Sequence, residues 1–192
     1  MIDSSVSVDF ENKQTVAVLP FVADPERKLE YNEHNSNRIY SQQVRKLSKL
    51  LMVRQAVLKS EKKLQEAGHV DWIHNLTAGE TELLKGQASR YFMPWRFVHN
   101  ENSTTTPTRL VFDASSVSRS GYSLNDILAK GINSMNSLLE IFLRFRCGVA
   151  AVHTDIKKMY NVVKLRPEHW TYQRYKWQEE LHPSLPQKEK NH

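Results

Sequence analysis

Hydrophobic and polar residues alternate with two different periods along this chain, which predicts a mixture of helices and strands. The longest helical pattern runs from Asn37 to Ala67 without a proline or glycine. Apolar side chains recur there at roughly helical spacing, which is typical of one face of a helix. Ser36 or Asn37 is the predicted N-cap and Gly68 the predicted stop. The apolar residues are Ile39, Val44, Leu47, Leu50, Leu51, Leu58 and Leu64.

The number of helices in this segment and the role of its leucine stripe each have two interpretations. It predicts either one long helix or two helices joined near Met52 and Val53. Its leucine stripe fits packing inside the fold, which is favoured, or a seam for a partner helix.

Shorter patterns predict strands on either side. Residues 13–21 form an apolar run that stops at a proline, and residues 31–37 are a polar loop. Residues 90–99 and 108–113 are rich in aromatic and β-branched residues and flank a polar turn. They predict a β-hairpin in which Pro94 favours an edge position.

The middle of the chain predicts connections and a second helix. Residues 69–73 and 77–87 look like a connection, and residues 123–128 predict a helical turn. Ser134 to Arg146 is an amphipathic helix that ends before a glycine. Its apolar face comprises Met135, Leu138, Leu139, Phe142, Leu143 and Phe145.

Residues 149–155 predict a buried strand that ends on the carboxylate of Asp155. A charge at that place needs a compensating partner, and a metal ion is one such partner. The alternative is an N-cap, since aspartate commonly begins a helix after a strand. This stretch alone leaves both interpretations open.

The C-terminal part predicts two more strands, at 162–165 and 171–177, around a turn. From His182 onward the residues are too polar to bury a core, which predicts a disordered end or a severed continuation. Four regions result: a strand and loop at 1–36, a basic helical region at 37–88, a mixed region at 89–181 and a tail at 182–192.

Composition narrows the class of protein. The 192 residues are 40% hydrophobic and 25% charged, typical of a globular domain, and no run has the ~18 apolar residues of a transmembrane helix. The first residues lack the pattern of a signal peptide, and a single cysteine, Cys147, fits a reducing compartment. We therefore expect an intracellular protein, cytoplasmic or nuclear, that is neither secreted nor bound to a membrane.

The net charge of +6 is concentrated in one region. Residues 37–68 carry eight bases and two acids, whereas residues 1–36 carry three bases and seven acids. This excess is compatible with nucleic acid as a partner, and equally with a solvated helix surface. The scattered histidines and the absence of a Cys-x-x-Cys pair make a structural zinc site unexpected.

Six motifs follow one another between Arg90 and Trp177. They are Tyr91–Pro94, Ser103–Ser115, Ser123–Asp126, Leu143–Arg146, Thr154–Tyr160 and Gln173–Trp177. In this order they resemble the reverse transcriptase of BEL/Pao-type long-terminal-repeat retroelements. The most specific is Ser-Thr-Thr-Thr-x-x-Arg-x-Val-Phe-Asp-Ala-Ser at 103–115. The basic helical region also looks like the segment that precedes the polymerase in this family, so the resemblance covers about three quarters of the chain.

The resemblance implies an α+β fold that is part of a right-hand polymerase, the fingers and the beginning of the palm at 89–181. The basic helical segment at 37–88 precedes it, and both termini are disordered. The implied partners are an RNA template, a DNA primer and deoxynucleotides, within a cytoplasmic retroelement particle or the nucleus. No membrane is involved.

The resemblance also assigns roles to individual residues. Such enzymes transfer a deoxynucleotide with two divalent ions, expected to be Mg²⁺, that clamp the attacking and leaving oxygens. Asp155 matches the first catalytic, metal-binding carboxylate, with the helix cap as a compatible second role. Tyr160 matches an aromatic gate that would clash with a ribose 2′-OH, and Ile156 lies beside the nucleotide. Arg109 matches the fingers arginine that contacts the base and triphosphate.

Plainer interpretations remain for several of these residues. Tyr160 also fits a core aromatic and Arg109 a solvated strand cation. Asp113 matches a fingers carboxylate that is structural rather than catalytic, and Arg174 is a weaker candidate for contact with the template or primer backbone.

Two departures from the family pattern limit the expected activity. No lysine stands between Lys85 and Lys130, where related enzymes often place one for the γ-phosphate, and no two aspartates are adjacent anywhere in the sequence. We therefore expect the chain alone not to extend primers. One alternative is a non-catalytic nucleic-acid-binding remnant of a domesticated or decayed retroelement. Another is a segment that folds poorly because half a palm leaves strand edges unpaired.

Overall fold

The computed structural model describes residues 6–11, 14–85, 91–103, 107–131, 135–150, 152, 154, 163–181 and 188–191. Within these ranges the chain is α+β, as the sequence predicts. None of the helices there combines the length and the apolar character that crossing a membrane requires.

The helices in the described ranges are α1 (Pro25–Lys28), α2 (Glu33–Ser48), α3 (Leu51–Glu66), α4 (Ala78–Lys85) and α5 (Leu138–Phe145). The strands are β1 (Val6–Asp9), β2 (Gln14–Ala17), β3 (Asp71–Trp72), β4 (Trp95–His99), β5 (Thr108–Phe112), β6 (Val163–Leu165), β7 (Arg174–Trp177) and β8 (Lys188–Asn191). Short 3-10 helices cover Ile73–Asn75, Leu124–Asp126 and Pro167–Gln173.

The predicted long helical segment is two helices, α2 and α3, which pack against each other. They separate at Lys49 and Leu50, slightly before the predicted joint, and Leu50 has the non-helical angles φ −126° and ψ 72°. The turn lets Leu47 and Val57 enter the same core, where both side chains are fully buried. The stripe is therefore largely packing, as favoured.

Helix α2 begins at Glu33, so the predicted loop at 31–37 and the predicted caps at Ser36 and Asn37 are wrong. The reason is a contact between distant residues. The Asn32 amide donates to the Phe92 carbonyl over 2.8 Å and accepts the Phe92 N–H over 2.7 Å. This pair of bonds fixes the chain just before α2, and Ser36 is buried one turn into the helix.

The predicted hairpin is present as β4 and β5, which pair antiparallel with Trp95 opposite Phe112 and His99 opposite Thr108. Alternate residues turn inward and pack against α2 and α3. The strand begins only after Pro94, which has no N–H to donate. The Pro94 carbonyl accepts the Asp113 N–H over 2.8 Å, which closes the open end of the hairpin.

Two further sheets join the ends of the chain to its middle. One has the order β1-β2-β6, with β2 and β6 parallel, and the other has the order β3-β8-β7. Disorder of the termini was predicted, and it is wrong for Val6–Asp9 and for Lys188–Asn191. β8 lies between two strands, so backbone hydrogen bonds on both sides hold a segment without an apolar pattern.

Three other predictions need correction. The connection at 77–87 contains α4, whose start is capped because Glu80 accepts from the Thr77 N–H and hydroxyl over 2.9 and 2.7 Å. The segment predicted as a strand from residue 171 is 3-10 helix until Gln173. Val149 and Val152, predicted in a buried strand, are exposed and belong to no strand.

The helix predicted at 134–146 is present in shorter form as α5, and its apolar side chains are exposed. The buried side chains of the described residues form two clusters. The first joins α2 and α3 to the hairpin and β7. The second joins α1 to the Leu124–Asp126 turn and to the segment that precedes β4.

Candidate functional site

Three of the six predicted site residues lie in the described part of the chain: Arg109, Asp113 and Arg174. The other three, Asp155, Ile156 and Tyr160, lie outside the described residues.

Arg109 lies on the outer face of the β4–β5 hairpin. It stands opposite Val98, and Arg96 stands opposite Val111 two pairs along, which is the next pair on the same face. Residues directly opposite each other in an antiparallel pair share a face, and all four of these are exposed. The hairpin therefore presents two guanidinium groups and two valines to solvent. This outer face follows from the alternation, because the intervening residues fill the core.

The two arginines of the outer face differ in their partners. The Arg96 guanidinium lies 3.4 Å from a carboxylate oxygen of Asp113. Within the described ranges Arg109 forms no ion pair. Arg109 is therefore the cation of this face that can accept an anionic ligand without first breaking an internal pair.

Asp113 ends the hairpin and is engaged locally. One carboxylate oxygen accepts the Ser115 N–H over 3.1 Å, which makes a turn of the chain, and the other faces Arg96. Both oxygens thus have protein partners. This arrangement suits a residue that shapes the loop after β5.

Arg174 begins β7 in a cluster around the buried ring of Phe92. Its guanidinium carbon lies 5.0 Å from the ring centroid, and its Nε donates to the Thr171 carbonyl over 3.2 Å. The Lys176 ammonium lies 4.0 Å from the same centroid and 2.8 Å from Glu33 Oε1. Arg174 thus lies beside Phe92 and Thr171, whereas Arg109 lies on the outer face of the hairpin.

Sequence reasoning missed the pairing of Glu33 with Lys176. The hydrogen bond from Lys176 lowers the pKa of Glu33, its charge adds to the effect, and burial opposes it. The two residues are 143 positions apart, and no local pattern connects them.

The described residues include no group of three or more histidine, cysteine, aspartate or glutamate side chains that could hold a metal ion. Asp113 already uses its oxygens for Arg96 and the Ser115 N–H. The part of the chain described here therefore does not assemble the Mg²⁺ site that the resemblance implies.

A second cationic surface covers α2 and α3. Residues 34–60 contain six bases and no acid. Arg38, Arg45 and Lys49 follow the face of α2 opposite its buried side, and all three are exposed. On α3 the exposed bases are Lys59, Lys62 and Lys63.

These bases have few internal partners. Of these six bases, only Lys62 forms an ion pair with another described residue, and its ammonium lies 3.8 Å from the Glu66 carboxylate. Arg38 donates a hydrogen bond to the Asn35 side chain over 3.0 Å. We call Arg38, Arg45 and Lys49 the basic face of α2, and Lys59, Lys62 and Lys63 the basic face of α3.

Comparison of the chain with protein-family models, with curated proteins and with solved structures found no match.

Proposed function

We propose that this chain is part of the reverse transcriptase of a BEL/Pao-type long-terminal-repeat retroelement. In the complete enzyme, deoxynucleotides would be added to a DNA primer on an RNA template. The ordered motifs between Arg90 and Trp177 support the family. The single structural observation in favour is that Arg109, in the most specific motif, is exposed on the hairpin and has no ion-pair partner among the described residues.

In this proposal Arg109 binds the triphosphate of an incoming deoxynucleotide. A guanidinium group can donate two parallel hydrogen bonds to one phosphate, and charge-assisted bonds of this kind are about twice as strong as neutral ones. The neighbouring Val98 and Val111 offer an apolar surface beside it. The hairpin would thus contact both a phosphate and an apolar part of the nucleotide.

The sequence contains one carboxylate of the expected catalytic set. Asp155 would offer its oxygens to Mg²⁺, and no adjacent aspartate pair exists among the 192 residues. We therefore propose that the chain binds nucleotide without transferring it. A primer-extension reaction with Mg²⁺ and deoxynucleotides should show no incorporation; incorporation that Asp155→Asn abolishes would contradict this part of the proposal.

Titration of the protein with a fluorescent deoxynucleoside triphosphate tests the role of Arg109. Arg109→Gln removes about 1.5–3 kcal/mol of charge-assisted hydrogen bonding, so the affinity should fall about 10- to 100-fold. Arg96→Gln is the matched control, because Arg96 lies on the same face but is paired with Asp113. Equal affinities of wild type and Arg109→Gln would make Arg109 an ordinary solvated strand cation.

A non-catalytic nucleic-acid-binding protein is the second candidate function. The basic faces of α2 and α3 favour it, because they carry exposed bases with few internal partners. Binding to phosphates releases counterions, so the affinity should fall steeply as salt rises. Fluorescence anisotropy with duplex DNA and RNA–DNA hybrid checks this, and no detectable binding at about 50 mM salt would exclude it.

A further inference from the structure

The turn between α2 and α3 exposes apolar side chains in the middle of the basic surface. Leu50, Leu51 and Met52 are 47%, 55% and 77% exposed. Leu50 lies in the turn and Leu51 and Met52 begin α3. Three consecutive exposed apolar residues at this place need an explanation, since a solvated turn and helix start would ordinarily be polar. The nearest exposed charges along the chain are the bases of α2, Lys46 and Lys49.

Helical geometry makes the apolar turn continuous with both basic faces. Met52 stands seven and eleven residues before Lys59 and Lys63, which places the three on one face of α3. Arg38 and Lys49 are likewise eleven residues apart on α2, a distance of about 17 Å along the axis. A duplex carries about one phosphate charge per 1.7 Å, so the basic face of α2 spans on the order of ten phosphates, and so does the line from Met52 to Lys63 on α3.

Charge distribution distinguishes between possible occupants of this surface. A flat anionic membrane that met the turn would contact the bases near it, but not those about 17 Å away along each helix. An extended polyanion can contact the turn and both faces together. Phosphates alone would leave Leu51 and Met52 in water, so the occupant must also offer an apolar surface at the centre. Nucleic acid offers one where bases are unstacked, and proteins insert leucine and methionine at such places.

We infer that the α2–α3 turn recognises a discontinuity in a nucleic-acid duplex, where Leu51 and Met52 contact the exposed face of an unstacked base. The basic faces of α2 and α3 bind the phosphates on either side. A one-nucleotide gap is such a discontinuity. The inference rests on the second candidate function, nucleic-acid binding, and is independent of the hairpin and Arg109.

Fluorescence anisotropy with two labelled DNA molecules tests the inference. One is a continuous duplex of about 20 base pairs, and the other has the same sequence with a one-nucleotide gap at its centre. We expect the wild type to bind the gapped duplex about fivefold to tenfold more tightly, the factor that corresponds to burying about 40–55 Å² of the exposed surface of Leu51 and Met52 against the base. Both affinities should fall with salt.

Two variants separate the apolar contact from the ionic one. Leu51→Ser with Met52→Ser should remove the preference for the gap and leave the salt dependence unchanged. Lys49→Gln with Lys59→Gln should weaken binding to both duplexes equally and reduce the salt slope by about two, one for each phosphate contact. Val22→Ser is the control for an exposed apolar residue elsewhere, because Val22 is 66% exposed.

The outcomes are distinct. Salt-dependent binding without any preference for the gap overturns the inference and leaves nucleic-acid binding intact. Absence of binding to either duplex overturns both. The third outcome concerns vesicles that contain phosphatidylserine. If the wild type binds them, the Leu51 and Met52 variant does not, and the wild type shows no preference for the gap, the turn is assigned to a lipid surface and the inference is also overturned. Urea unfolding of each variant verifies that these exposed substitutions leave the fold unchanged.

Discussion

Replacement of Asn32 by alanine should destabilise the fold strongly, because Asn32 joins the start of α2 to the segment before β4. Its side-chain nitrogen donates to the Phe92 carbonyl over 2.8 Å, and its side-chain oxygen accepts the Phe92 N–H over 2.7 Å. Asn32 and Phe92 are only 4% and 3% exposed. Water therefore cannot replace the amide unless the surrounding structure opens.

The expected magnitude follows from the two groups left without partners. A buried donor or acceptor that loses its hydrogen bond costs about 1–3 kcal/mol. Asn32→Ala leaves both the N–H and the carbonyl of Phe92 in this state, so the free energy of unfolding should fall by about 4 kcal/mol, with a range of about 2–6. This is a large part of the ~5–15 kcal/mol that stabilises an ordinary domain.

Urea unfolding followed by tryptophan fluorescence measures the loss. Asn35→Ala is the matched control, since among the described residues the Asn35 side chain accepts a hydrogen bond only from exposed Arg38. Its free energy of unfolding should differ from that of the wild type by no more than about 0.5 kcal/mol. A similarly small change in Asn32→Ala would refute the argument that these two bonds hold α2 to the segment before β4.

Two further predictions concern groups that the fold brings together. Nδ1 of His169 accepts the Leu19 N–H over 2.7 Å, and burial lowers the pKa of His169 below its ordinary 6.5. The contribution of the neutral His169 ring to the free energy of unfolding is therefore fully present above about pH 6.5, and it is lost as the pH falls below that value. Urea unfolding at several pH values should show a smaller decrease for His169→Gln than for the wild type, and parallel profiles would contradict this. The Lys176 ammonium lies 2.8 Å from Glu33 and its side chain is 8% exposed. Glu33→Ala should lower the urea midpoint more than Lys176→Met, because only the former leaves a buried ammonium without its nearest carboxylate; the opposite order would contradict the argument.

Segments with a clear period were predictable because burial imposes that period on the sequence. The helical spacing between residues 37 and 67 corresponds to α2 and α3, and the strand patterns around residues 95 and 110 correspond to the hairpin. The start of α4 was also readable, because Thr77 and Glu80 have the spacing of a capping box. The local sequence therefore contains the signal for this helix start.

Other elements had no local signal. Lys188–Asn191 is a strand because β3 and β7 offer hydrogen bonds on both sides, although its composition suggested a tail. Helix α2 begins at Glu33 because Asn32 binds Phe92, 60 residues away. Interactions of this kind depend on which segments meet in space, and propensity scales contain no term for them.

One part of the candidate site could likewise be predicted from the sequence, and another part could not. Sequence motifs selected Arg109, and strand alternation was enough to predict its exposure. Only the register of the hairpin shows that Arg96 pairs with Asp113. This pairing leaves Arg109 as the cation of the outer face without an ion pair among the described residues. Leu50 and Leu51 were included in the leucine stripe, and only the position of the helix break shows that they and Met52 are exposed.

By itself the sequence determined the α+β class, the α2–α3 segment, the hairpin and the concentration of positive charge on residues 37–68. These features depend on neighbours a few positions apart, whose side chains share a face whatever the rest of the chain does. The tertiary structure alone decided the central place of β8, the bonds of Asn32 and the pairing of Glu33 with Lys176. The bonds of Asn32, the pairing of Glu33 and the pairing of β8 with β3 join residues 60 to 143 positions apart, and they form only when the burial of the whole core offsets the entropy of closing such long loops.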